Sequence, residues 1–210
     1  MVTHVPEPPH QFTAQAVDLE PGTVLYRVYT NRRPSPVEFN PGRGPGGRFS
    51  FFGTPAVPVL YAAATEVAAV CETLLHSIPV TGGALLPEQY LDKVAARIRV
   101  QRPLRLASFL GTGLRALRIE ASQLTDTPAS EYPRTRRWAE IAHQAGFDGV
   151  AWMSKRCNSD RAYVLFGDRI CPDDLAIDTG YARVFAAGTD LDWLIDLCSG
   201  MHIDVHAPHT

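Results

Sequence analysis

Ten of the seventeen prolines lie within residues 1–58. Each locks its own φ and removes a backbone donor, so residues 31–58 cannot hold much regular structure. A loop of that length inside a compact domain is usually functional or disordered. It contains Gly42-Arg43-Gly44-Pro45-Gly46-Gly47-Arg48-Phe49. Glycines let backbone N–H groups approach a ligand closely, and successive N–H groups form anion nests. Arg48 adds a fork suited to phosphate. A plain Gly-rich turn with two solvated arginines remains open. The loop is neither a P-loop nor a dinucleotide fingerprint: no Gly-Lys-Ser/Thr follows, and no GxGxxG sits between a strand and a helix.

Periodicity places elements around this loop. Residues 1–20, polar and Pro-containing, read as a mobile N-terminal segment. Residues 25–29 and 57–63 read as strands. A helix over 65–77 follows, capped by Thr65, with Val67, Val70, Cys71, Leu74 and Leu75 on its apolar face, and ended by Pro79 and Gly82-Gly83. Val94 to Val100 reads as a further strand. Residues 134–145 form a helix presenting Trp138, Ile141, Ala142 and Ala145, with Gly146 as its C′ residue. Strands at 149–153 and 162–166 flank a polar loop. A last helix spans 189–198, with Thr189 and Asp192 as a capping box and Gly200 closing it. The expected class is α+β, with strands pairing over long distances.

Composition is that of an ordinary globular chain: 210 residues, 45% apolar and 20% charged. That argues for one domain, with length to spare for an appendage, that needs no staples. The net charge of −2 hides an asymmetry. Residues 21–167 hold eighteen basic residues against eleven acids, and residues 168–210 hold eight acids against two arginines. A basic body invites anion binding. Direct nucleic-acid binding by the arginines between 97 and 118 is disfavoured, because the chain is slightly acidic and no recognition module is present. Four cysteines without a CxxC pair suit a reducing cytoplasm. No apolar run approaches a membrane span, and the first ten residues lack a secretory pattern.

Several residues carry two readings. Arg27 and Tyr29 share one strand face; Arg27 is a ligand if that face lines a pocket and an ordinary surface charge if it is wet. Glu72 falls off the centre of its helix's apolar face, where a solvated Glu is the plain reading. Ser154 opens a loop after a buried strand, a frequent place for function and equally for a turn. No GxSxG elbow is present, which disfavours a triad hydrolase. Cys198, His202, His206 and His209 have a zinc-like spacing but no second Cys pair, so a polar tail is favoured over a metal site.

Taken as a set, LYRVY at 25–29, GGRFSFFGTPAVPVLYAA at 46–63, AAVCE at 68–72, YPRTRRWAEIAHQAGFDGVAW at 132–152 and MSKRCNSDRAYVLFGD at 153–168 resemble the RES domain family, the toxins of RES–Xre toxin–antitoxin systems. The resemblance covers roughly residues 23–170. One departure is Phe49-Ser50, where the family commonly has Trp-Asn.

The resemblance implies a single RES domain over 21–174, with mixed sheets and flanking helices, similar to ADP-ribosyltransferase toxins. Residues 175–210 would be an acidic extension carrying one helix, packed on that domain. It further implies a cytoplasmic enzyme that cleaves the nicotinamide–ribose bond of NAD, with water or inorganic phosphate as acceptor. Transfer of ADP-ribose to a macromolecule is the alternative. Arg48, Tyr61, Glu72 and Ser154 match the family's active-site residues, and Arg27 matches a further pocket Arg. Gly47, Arg48, Tyr61, Ser154 and Arg27 would contact NAD, which is substrate rather than cofactor; no metal is implied. Nicotinamide leaves readily, so no acid catalyst is required for its departure. The implied partner is an Xre-type helix-turn-helix antitoxin that blocks the NAD pocket, with nucleic acid bound only through it.

Overall fold

The computed structural model describes residues 4–208. Among these residues ten strands form in chain order: β1 Ala16–Leu19, β2 Val24–Thr30, β3 Val59–Ala63, β4 Gly83–Leu85, β5 Lys93–Val100, β6 Leu104–Phe109, β7 Gly149–Met153, β8 Arg161–Phe166, β9 Leu175–Val184 and β10 Ile203–Val205. The α-helices are α1 Glu66–Thr73, α2 Pro87–Tyr90, α3 Thr112–Ala116, α4 Ala121–Leu124, α5 Tyr132–Gln144 and α6 Gly188–Ser199. Eight strands make one mixed sheet in the order β1-β6-β7-β8-β3-β2-β5-β9, and β10 pairs with β4. Within the large sheet only β6 and β7 run parallel. The expected α+β class is observed.

One irregularity of this sheet matters for function. β2 pairs with β5 along its whole length, from Val24 opposite Arg99 to Thr30 opposite Lys93. Its other neighbour, β3, meets it in register only at Tyr26 opposite Ala63. Beyond that pair the two strands part, so Arg27–Thr30 and Val59–Tyr61 become the walls of a cleft. The Pro-rich loop runs between them and is largely irregular, as its composition dictates; Asn40 still forms an isolated bridge to Val59.

The core lies on both faces of the sheet. On one side α5 packs Trp138, Ala139 and Ala142 against β7, beside Phe49, Phe109, Trp152 and Phe166. On the other, α1 and α6 bury Ala68, Val70, Cys71, Leu74, Leu194 and Cys198 with Tyr90 and Phe185. Each fully buried large side chain contributes roughly 1.5–3 kcal/mol of transfer free energy.

Several expectations need correction. The N-terminal segment expected to be mobile is anchored over its described residues. Val5 is buried, Pro6 O accepts from Trp138 Nε1 at 2.8 Å, Phe12 packs edge-on to Trp138, Phe109 and Phe147, and β1 pairs with β6. The helix expected over 65–77 begins as expected, with Thr65 Oγ1 accepting from Ala68 N, but ends at Thr73. Leu74 N and Leu75 N both reach back to Val70 O, the second spanning five residues, so the chain leaves the helix in a widened last turn that buries Leu74 and Leu75 in the core. The buried face of α5 is Tyr132, Thr135, Trp138, Ala139 and Ala142, rotated from the expected one; Ala145 is exposed. Gly146 does close it: φ is +87°, Gly146 N bonds His143 O and Phe147 N bonds Ala142 O, the two bonds of a Schellman motif. The Thr189–Asp192 capping box is absent. Helix α6 starts at Gly188 without a side-chain cap, and Asp190 instead accepts from Val184 N. The boundary expected at 174/175 falls at the start of β9, an edge strand of the main sheet.

Candidate active site

A cavity of about 630 Å³ occupies the cleft between β2 and β3, with Arg27, Gly47, Arg48, Tyr61 and Glu72 in its wall. Five of the six predicted site residues are therefore brought together from the strands, the Pro-rich loop and α1. Ser154, the sixth, stands behind the wall. It is fully buried; its hydroxyl donates to Glu72 Oε1 at 2.7 Å and accepts from Cys157 N at 3.2 Å. It braces the carboxylate rather than meeting a ligand itself. Glu72 is half-buried at the cavity end of α1.

Arg48 is 7% exposed, and among the described residues its guanidinium bonds no carboxylate. Nη1 donates to Thr127 O at 2.9 Å and to the Thr127 hydroxyl, the guanidinium lies 5.1 Å from the Tyr132 ring centre, and its own carbonyl accepts from Thr135 Oγ1. A buried cation held by neutral groups is poised for an anionic ligand. Arg27 is 6% exposed, donates to Pro36 O and Glu38 O, and lies 5.7 Å from the Tyr29 ring centre. Burial, reinforced by the charge of Arg33, lowers its pKa to about 10. It stays charged at neutral pH, and the strand face it shares with Tyr29 lines the pocket rather than meeting bulk water.

The anion nest expected from the glycine-rich loop is not formed at residues 47, 49 and 50. Those N–H groups bond Ser50 Oγ, the Tyr61 hydroxyl and Gly47 O respectively. Gly47 is required for another reason: a Cβ there would meet the Tyr61 hydroxyl at 2.8 Å. Arg136 holds the loop from α5 by donating to Gly47 O at 3.3 Å and Pro45 O at 2.6 Å. Tyr61 is fixed by Ser50 Oγ at 2.9 Å, and burial pushes its pKa up to about 12. At the Phe49-Ser50 departure, Phe49 is a core residue 5.1 Å from the Trp152 ring, while Ser50 supplies the polar contact to Tyr61.

Sequence reasoning missed Asn40, Arg43, His76, Tyr132 and Trp152, which also line the cavity. His76 had a signal, four residues after Glu72 and so one turn on. No metal-binding cluster is found among the described residues; Cys198 is fully buried in the core, and His209 lies outside the described residues. No helix among the described residues is long and apolar enough to cross a membrane.

The comparisons with known proteins agree with this architecture. The family model described as RES domain matches residues 24–183. The chain belongs to the RES domain family. The fold resembles that of a chain from the crystal structure of the M. tuberculosis MbcT–MbcA toxin–antitoxin complex, at a TM-score of 0.60 and 15% sequence identity, covering 87% of this chain and 92% of that one. No curated protein matches.

Proposed function

We propose that the protein is the toxin of a toxin–antitoxin pair and destroys NAD by cleaving the nicotinamide–ribose bond, passing ADP-ribose to inorganic phosphate or to water. The convergence of Arg27, Arg48, Tyr61 and Glu72 on one cavity, with the carboxylate braced by a buried hydroxyl, carries this reading. Family membership and the likeness to a chain of a toxin–antitoxin complex support it.

The chemistry suits these side chains. As the glycosidic bond breaks, its electron pair stays on the pyridine nitrogen and positive charge develops on the ribose ring. The Glu72 carboxylate bonds the ribose hydroxyls and stabilises that charge; it is held in place beforehand and needs no reorganisation at the moment of reaction. Arg27 and Arg48 hold the pyrophosphate. Tyr61 stacks its ring on the nicotinamide. Ser154 acts through Glu72. Neutral nicotinamide leaves without a proton, so NAD is consumed as a substrate and the bond cleavage asks for no redox cofactor.

The proposed partner is an Xre-type helix-turn-helix antitoxin that covers the mouth of the cavity, with nucleic acid bound through it, and the proposed compartment is the cytoplasm. Purified antitoxin-free protein should release nicotinamide from NAD, and added antitoxin should stop the release. A folded sample that releases none, with or without phosphate, contradicts the reading. Labelled NAD marking a macromolecule in lysate would instead favour ADP-ribosyl transfer.

A further inference from the structure

His76 is, among the described residues, the one imidazole on the cavity wall. It lies beyond the end of α1 yet is firmly held. Its carbonyl accepts from Arg156 Nε at 3.1 Å and Nη2 at 2.9 Å, and its Nε2 lies 2.8 Å from the Tyr132 hydroxyl. Tyr132 also lines the cavity and carries the Arg48 guanidinium over its ring. A connected path thus runs from the cavity through a phenol to an imidazole, on the same wall as Glu72 and with no part in the steps derived above.

The groups that set the charge of His76 come from four elements: Glu72 on α1, Arg48 on the Pro-rich loop, Tyr132 on α5, and Lys155 and Arg156 on the loop between β7 and β8. Burial holds its pKa below the ordinary value of 6.5; Arg48, Arg156 and Lys155 push the same way, and Glu72 opposes them. The imidazole is therefore neutral at neutral pH and can accept a proton.

We propose that His76, acting through the Tyr132 hydroxyl, is the general base that activates a protic acceptor, water in the first instance. This role rests on the NAD-cleaving reading. One O–H bond of the acceptor breaks and its proton passes to Tyr132 Oη as the phenol's own proton moves to His76 Nε2. The acceptor oxygen bonds to the anomeric carbon, and the bond to nicotinamide breaks with its electron pair on the pyridine nitrogen. The imidazolium then returns its proton to solvent. Nothing is oxidised or reduced, and no proton goes to the leaving group.

An anionic acceptor needs no such base, which supplies the test. Nicotinamide release from NAD is measured against pH with water alone and with added azide, for the wild type, His76→Gln and Tyr132→Phe. The Phe variant keeps the ring beneath Arg48. In the wild type, hydrolysis should lose rate below the pKa of His76 whereas azide-dependent release should not, a contrast that requires no variant. Hydrolysis should fall about 10²-fold in both variants, with azide restoring release to the wild-type azide rate. Unchanged hydrolysis in His76→Gln overturns the role. So does an equal loss of hydrolysis and azide-dependent release, which would make the imidazole a packing group. A wild type inert with water, phosphate and azide overturns the NAD reading itself.

Discussion

The Ser154 hydroxyl donates to Glu72 Oε1 at 2.7 Å across 82 residues of sequence, from a position without solvent exposure. It joins the start of the loop after β7 to the end of α1, and the same oxygen receives the Cys157 N–H. Ser154→Ala removes one donor from the carboxylate and one acceptor from the loop. The expected cost is about 1–3 kcal/mol in denaturant unfolding. Nicotinamide release should fall by about 10²-fold as the carboxylate loses its placement. In a double-mutant cycle with Glu72→Gln the rate losses should be far from additive.

Arg48 is held by the geometry of a planar fork, with Thr127 O and the Tyr132 ring as its neutral supports. Lysine keeps the charge and loses the fork. Arg48→Lys should raise the KM for NAD by about tenfold or more while changing the melting temperature little; steady-state kinetics on NAD reads the difference.

The folded state holds protons that the unfolded chain gives up at alkaline pH. Burial raises Tyr61 from 10.0 to about 12, Cys71 from 9.0 to about 12 and Cys198 from 9.0 to about 11. Above pH 9 the unfolded state therefore binds fewer protons at these three groups; Arg27, lowered to about 10 in the folded state, opposes them above that pH but is outnumbered, so stability falls as pH rises from about 9 toward 12. Urea unfolding across that range checks the sign. In the native protein a thiol reagent should modify exposed Cys171 before buried Cys71 and Cys198.

Arg183 ties the C-terminal region to the rest. It bonds Glu66 at 2.6 Å on α1 and Asp190 at 2.8 Å on α6, and lies 4.2 Å from the Trp193 ring centre. Arg183→Ala should cost about 1–2 kcal/mol in thermal unfolding, and less at high salt, because the pairs are partly exposed.

The strands flanking the site and helix α5 were legible because each carries its own period and its own turn residues. Arg27 and Glu72 could not be judged that way. Their role depends on β2 and β3 parting after one registered pair, a long-range event that leaves no local pattern. The same holds for Ser154, whose partner lies on another element. Strand β9 was missed because its residues alternate half-buried and exposed at the sheet edge with little apolar signal. The charge asymmetry proved partly internal. Arg97 and Arg99 both bond Asp178 at 2.9 Å, and Arg102 bonds Asp174 at 3.1 Å, so the acidic segment pairs with the first three arginines of the basic run. Among the described residues Arg27 and Arg48 form no such ion pair, and they line the cavity instead. The Pro-rich loop, the most conspicuous feature of the sequence, wraps the cleft and delivers Arg48 to it.

The most direct measurement is nicotinamide release from NAD by the wild type and by Glu72→Gln, with and without phosphate. Glutamine keeps an oxygen for Ser154 and removes the carboxylate charge, so the fold should survive. Release by the wild type and a loss of about 10²-fold or more in the variant, at matched thermal stability, is the predicted result. Equal release by both proteins would contradict the role of Glu72, and the absence of release from a folded wild type would contradict NAD cleavage altogether.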